Sequence, residues 1–523
     1  MTTRNQAQQF ARAFQSQVAR HPGAACLTLP LLKDLGVAEA VNALCPSRHV
    51  VSHGDILALL ATNRLQAPRP LYKVDAWLAQ AGLESALGVQ AEQAHDTRLG
   101  ESLDGVYPQH QAIWQQVVLQ AVRRYHLPLA WLHYDLTSTY FEGAYTQSEL
   151  LQYGYSRDHR PDTKQLNLGL TVLEGGVPLA FRVLVGNTAD KTTPRQNLEA
   201  VKALLQDAYQ PETTIVHDRG MVSVETLLWY ERKGQRYLTS VTADAGVQAV
   251  LDGVAQAELL AHPLAYRPKR AGEAAASGYY GVWRELTLEM EGLKARTRVL
   301  VVYSVSKARL DEKKRQAALA KLMARLGEIQ SHLNQRKYKQ RAYTWEQIHL
   351  AQRANAAREL VDVHLEGEEG ALVLKYAVNA EKLAQAQGRD GRYAILTNRW
   401  DLSADEALAH LKAQDQVEKR IWVLKGPLQV HPLWLHKDER LVSLVLVLMI
   451  ALLVYCLLEH LVRQAQRHLT GRALLEAFAG YSVVLVRFGD GSQLWLYADL
   501  TPLQADLLSA LGFPAPQVTL MLS

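Results

Sequence analysis

Leu129 to Gly143 reads LAWLHYDLTSTYFEG, and Ile215 to Ser223 reads IVHDRGMVS. Each is an apolar run that meets a carboxylate, Asp135 in the first and Asp218 in the second. A buried carboxylate is costly unless it is paired or holds a cation. Two such stretches therefore predict strands that end on acids with work to do. Between them, QLNLGLTVLEGGVPLAFRVLVGN is rich in β-formers and carries a Glu174-Gly-Gly-Val177 hairpin signal. PRQNLEAVKALLQDA then starts on a proline and has helical spacing. SVETLLWYERKG follows Asp218, with Ser223 as its cap and Gly234 as its stop. The order strand, hairpin, helix, strand, helix, strand predicts a mixed α/β sheet layered with helices.

Outward from this centre the texture changes. Residues 1–125 read as helical, with AEAVNALC, SHGDILALLATNRL and HQAIWQQVVLQAVRRY at helical spacing and Ser52 or His53 as a helix start. Residues 244–389 interrupt the α/β pattern with two strand-like runs and a long basic helix from Leu310 to about Leu333. The strand DGRYAILTNRW and a helix capped at Ser403 bring the pattern back. Residues 466–523 hold a strand-like SVVLVRFGDGSQLWLY with no functional reading.

The chain has 523 residues, enough for several domains, and a formal charge of +5 that is too mild by itself to signal nucleic acid. The distribution says more: Lys313 to Arg341 holds nine Lys/Arg against one acid, Glu328. Three cysteines form no CxxC pair, as in a reduced compartment, and the amino terminus MTTRNQAQQFARAFQ has no apolar targeting core. Leu441 to Leu458 carries no charge over 18 residues, the lower edge of a membrane span, and is read as a buried core helix.

Paired strand carboxylates with a third acid from a helix are the ligands of two-cation phosphoryl-transfer sites. Three acids near 403–425 qualify as the third: Glu406, Asp415 and Glu418. Here YDLTSTYFEG, GYSRDHRPDTKQLNLGL, IVHDRGMVS and VEKRIWVLKGPLQVHPLWLHKDERLVSLVLVLMIALLVYCLLEHL resemble bacterial insertion-sequence DDE transposases of the insertion-sequence-four superfamily. The resemblance covers most of residues 45–465. It implies a ribonuclease-H-like α/β core with a mixed sheet and helices on both faces, a helical N-terminal domain that binds the DNA end, and a large α+β insertion. The core would span 126–243 and 390–465, with the insertion at 244–389.

By position, the resemblance makes Asp135, Asp218 and Glu418 the catalytic residues and the ligands of two Mg²⁺ or Mn²⁺ ions. It also implies cleavage at element ends and strand transfer, with terminal inverted repeats and target DNA as partners. A homodimer on paired ends, no membrane, and a cytoplasmic, nucleoid-associated bacterial location complete the expectation. The family's Tyr-x2-Arg-x3-Glu-x6-Lys signature places its Lys on Lys425, its Arg on Gln414 and its Tyr on Leu411. Candidate DNA contacts are Lys425, Arg219, Arg157, Arg160 and Lys164, with Arg336, Lys337 and Lys339 in the basic run. A two-metal nuclease without strand transfer, or an inactive transposase remnant, would carry the same residues.

Overall fold

A computed structural model describes residues 14–242, 244–267, 278–353, 355–428, 435 and 437–521. The stretch read for a targeting signal lies almost wholly outside them, as does the middle of the family-like block after Leu428. Two compact units emerge: Met1–Val216 with Ala413–Ser523, and His217–Lys412.

The first unit opens on a strand, β1 (Phe14–Arg20), which the helical reading of 1–125 did not contain. Helices α1 (Ala25–Asp34), α2 (Val37–Leu44), α3 (His53–Gln66), α4 (Asp96–Val106) and α5 (His110–Arg124) follow. Ser52 does cap α3: its Oγ accepts from Asp55 N at 3.1 Å while Asp55 accepts from Ser52 N at 3.2 Å. An antiparallel meander comes next, β2 (Trp131–Phe141), β3 (Lys164–Leu173) and β4 (Pro178–Val185). Asp135 stands opposite Leu170, and Leu170 opposite Phe181. The β3–β4 turn needs positive φ at Gly175 (89°) and Gly176 (81°), which glycine accepts without cost from a Cβ. After α6 (Thr193–Leu205), β5 (Thr214–His217) runs beside β2, with Thr214 N donating to Ala130 O at 2.8 Å. The order here is β4-β3-β2-β5.

One expectation is corrected. Asp135 does not end its strand; it sits in the interior of β2, which continues through Thr137, Ser138 and Thr139 to Phe141. These short hydroxyl side chains are buried with the rest of the strand. Only Asp135 and Tyr140 are partly open along β2.

The second unit starts with α7 (Val224–Arg232), where Ser223 Oγ accepts from Thr226 N at 3.2 Å as its cap, and β6 (Arg236–Ser240). A long hairpin, β7 (Tyr279–Met290) and β8 (Leu293–Ser304), leads into α8 (Val305–Ser331) and α9 (Arg341–Arg353). A second hairpin, β9 (Val361–Glu366) and β10 (Val373–Val378), precedes β11 (Arg392–Thr397) and α10 (Ala404–Lys412). The strand order β6-β11-β8-β7 makes the first hairpin of 244–389 an extension of the sheet containing β11. The part from α8 to β10 has a hydrophobic core, with Leu322, Leu326 and Ile329 against Ile348, Leu365 and Leu374.

The chain then returns to the first unit with α11 (Asp415–Lys425), α12 (Asp438–Gln464) and α13 (Gly471–Ala477). Strands β12 (Val483–Phe488) and β13 (Gln493–Tyr497), α14 (Pro502–Leu511) and β14 (Thr519–Met521) close it. By length and composition α12 could cross a membrane, yet 94% of its most apolar stretch is buried, against α3, α4, α5, α13 and β4. Each fully buried Leu or Val there contributes about 1.5–3 kcal/mol, so α12 is the hydrophobic axis of the first unit. The unread 466–523 is folded: β1, β12, β13 and β14 form one antiparallel sheet, with Val18 opposite Leu485.

Candidate active site

Asp135 and Glu418 both belong to the first unit, on elements that pack together: α11 lies on β2 and β3. Asp135 is half-buried, and its Oδ1 accepts from Leu136 N at 2.7 Å, which fixes one carboxylate oxygen. His133, two residues back on the same face, is fully buried, and its Nδ1 lies 3.2 Å from Gln414 Oε1. Gln414 Nε2 donates to Tyr134 O at 2.8 Å. The side chain at the signature's arginine position therefore ties the start of α11 to the strand of Asp135. Leu411, at the signature's tyrosine position, is buried in α10 of the second unit.

Glu418 is exposed in the first turn of α11, where the helix dipole favours a carboxylate. The opposite face of α11 is buried through Val417, Arg420, Val423 and Leu424. Gln416 Oε1 accepts from Gly175 N at 2.9 Å, and Arg420 Nε donates to Gly176 O at 2.7 Å. Arg420 Nη2 also pairs with Glu459 of α12 at 2.6 Å, the two side chains being 7% and 8% exposed. Glu459 accepts further from Arg463 Nη2 and from Gly471 N, each at 2.9 Å. None of Gln416, Arg420 and Glu459 stood out in the sequence. The signals that could have found them are an arginine on the apolar face of α11 and an acid at the end of the apolar run of α12.

The rival acids are already engaged. Glu406 accepts from Ser403 N and Oγ at 2.9 and 2.7 Å as a helix cap, and these donors hold its carboxyl below the usual range. Asp415 pairs with Lys419 at 2.6 Å.

A basic loop between β2 and β3 gathers on the far half of β2. Ser138 Oγ accepts from Arg157 N at 3.0 Å, and Arg160 lies 4.9 Å over the Tyr140 ring. Lys164 Nζ donates to Tyr145 O at 2.8 Å. The loop's charges have carboxylate partners: Arg157 with Asp190 at 2.7 Å and Arg160 with Asp162 at 3.0 Å. Lys425, expected on phosphate, pairs with Asp158 at 2.6 Å. It nevertheless ends the helix whose first turn carries Glu418, seven residues on and therefore on the same face.

In the second unit, Asp218 is exposed just after β5, followed by exposed Arg219 and by Gly220 at φ 90°. His217 before it is buried, 2.9 Å from Tyr230 Oη, and burial pushes its imidazole down to about 3, so it is neutral. Arg336, Lys337 and Lys339 are exposed on a 3₁₀ turn, Arg336–Lys339, with Lys337 5.9 Å over the Tyr343 ring. Other cations of the run are neutralised, Arg315 by Asp390 and Arg325 by Glu328.

Among the described residues no group of three or more His, Cys, Asp or Glu side chains is set to hold a metal ion. Asp135, Asp218 and Glu418 each offer carboxylate oxygens, the hard donor class that suits Mg²⁺ or Mn²⁺.

A family model described as a domain of unknown function (DUF4277) matches residues 26–119, the helical stretch from α1 into α5. No curated protein matches the chain. Among solved structures it is similar to a piggyBac transposase synaptic complex with hairpin DNA, at 7% identity and a TM-score of 0.39, over 89% of this chain and 82% of that one. It is also similar to a Mos1 transposase paired-end complex with left transposon end, at 15% identity and a TM-score of 0.16, over 39% of this chain and 62% of that one.

Proposed function

We propose that the chain is a DDE transposase that cleaves DNA at the ends of its element and transfers the freed strand into target DNA. The observation that carries this reading is the clamping of α11, the Glu418 helix, onto the strand of Asp135, with a basic loop over the same strand. The sequence pattern around Asp218 supplies the third carboxylate. Asp135, Asp218 and Glu418 would hold two Mg²⁺ or Mn²⁺ ions. Bound there, such cations activate a water or a 3′-hydroxyl and stabilise the leaving oxygen.

The rest belongs to the chain's own groups. The Leu136 N–H orients the Asp135 carboxylate on its strand. Lys425, Arg157, Arg160 and Lys164 would take the phosphates next to the scissile bond, exchanging their present acceptors for DNA. Arg219 would serve beside Asp218, while Arg336, Lys337 and Lys339 would hold flanking duplex. The partners are the terminal inverted repeats and the target DNA, engaged by a homodimer on paired ends in a bacterial cytoplasm, at the nucleoid.

The test is a labelled element-end duplex incubated with Mg²⁺ or Mn²⁺, wild type against Glu418→Gln. Nicked and joined products from the wild type, reduced at least about a hundredfold in the variant with end binding retained, are expected. Nicking without joined product would replace transposase by nuclease. Equal activity in both proteins would remove Glu418 from the site.

A further inference from the structure

Apolar packing alone leaves a helix some freedom to slide and turn on a sheet, because it is not directional. The helix α11 is held by bonds that are. Gln414 fastens its start to β2, while Gln416 and Arg420 fasten its middle to the tip of the β3–β4 turn. The fit at that tip is close. A Cβ on Gly176 would stand 2.8 Å from Arg420 Nε, so any side chain there would displace the guanidinium, and the φ of 81° favours glycine independently. Behind Arg420 stands Glu459, itself oriented by Arg463 and Gly471 N.

A buried ion pair is weak evidence for stability, since desolvation offsets most of its attraction; its better-attested use is to fix register. Arg420 lies two residues from Glu418. A slip of one residue along a helix moves a side chain by about 1.5 Å, whereas a metal ligand tolerates about 0.5 Å.

We infer that Arg420, seconded by Gln416, is a positioning residue that sets where the Glu418 carboxylate stands relative to Asp135, using the β3–β4 turn and Glu459 as its fixed points. This rests on Glu418 being a metal ligand, as proposed above. Arg420 would touch neither DNA nor cation; it acts through the axial placement of α11.

The experiment uses the full chain as wild type, Glu418→Gln, Arg420→Lys and Gln416→Ala. Arg420→Lys keeps the charge for Glu459 and gives up the planar fork that also reaches Gly176 O. Gln416→Ala removes one peripheral bond and leaves the buried pair intact, so it folds if Arg420→Lys does not. Mn²⁺ binding is read from the electron paramagnetic resonance of the free ion, end binding is measured without divalent cation, and thermal unfolding is followed alongside. Glu418→Gln should lose a Mn²⁺ site. Arg420→Lys and Gln416→Ala should weaken that site about tenfold, with end binding unchanged and cleavage recovering at saturating Mn²⁺. Unchanged Mn²⁺ affinity in both folded variants, with only the unfolding temperature lowered, would overturn the inference while leaving Glu418 in place. A Glu418→Gln protein that binds Mn²⁺ like the wild type would remove the metal-ligand reading itself, and the inference with it.

Discussion

Lys425, Arg157 and Arg160 each have a carboxylate within 3.0 Å, whereas Arg336, Lys337 and Lys339 form no ion pair among the described residues. The two sets were singled out for the same reason, basic charge available to phosphate, and the fold treats them differently. A paired cation already has its field cancelled locally, so a phosphate must displace an acid to use it. What it offers is direction. An unpaired, hydrated cation gives its counterions up freely and offers affinity that falls with salt. The first unit thus resembles a fixed jig and the 3₁₀ turn a soft electrostatic grip.

The largest effect should come from dismantling the jig. Arg420→Ala removes one of the two arginines that hold Glu459 and empties a buried site; a loss of about 3–5 kcal/mol is expected from denaturant unfolding followed at the first unit. A loss under about 1 kcal/mol would make the paired region as soft as the other and erase the contrast. Next in size is the triple variant of Arg336, Lys337 and Lys339 to Ala. Its unfolding should stay within about 0.5 kcal/mol of wild type. The slope of log affinity against log salt should flatten by about 0.9 for each phosphate that the variant no longer neutralises. An unchanged slope would take this turn off the DNA. The smallest change sharpens the comparison instead: Asp158→Asn releases Lys425 from its partner. Because the pair is only about a fifth exposed, part of the cost of breaking it is real, yet the gain in end binding should stay within about 1 kcal/mol, read by titration at two salt concentrations.

Much of the centre was legible because its signals are local. The Gly175–Gly176 turn, the caps at Ser52 and Ser223 and the run from β2 to β6 each depend on residues within one turn or one strand. The placement of Asp135 was misread because the polar Thr137, Ser138 and Thr139 look like the end of an apolar run. In a strand buried on both faces, short hydroxyl side chains can continue the strand, as Ser138 does with its Oγ accepting from Arg157 N. The pairing of β1 with β12 joins the two ends of the chain, and no local pattern announces such a partner. Arg420 was invisible for the same reason: its acceptor at Gly176 lies 244 positions away. Its meaning comes from the turn it meets. The carboxylates themselves were found by pattern, and the side chains that hold α11 in place only by the fold.

The apolar helix α12 carries a consequence for how the molecule is made. The Ser443 hydroxyl finds its acceptor, Leu103 O, 340 positions upstream. The surfaces of α3, α4, α5 and β4 that α12 covers leave the ribosome first and must wait through the whole second unit, His217–Lys412. At roughly 5–20 residues per second that wait is on the order of ten to forty seconds. During it the nascent chain shows greasy surface with its lid still unwritten. Chaperones that hold the nascent chain are therefore expected to raise its yield, and a chain truncated before Asp438 should be cut by protease faster than the full chain.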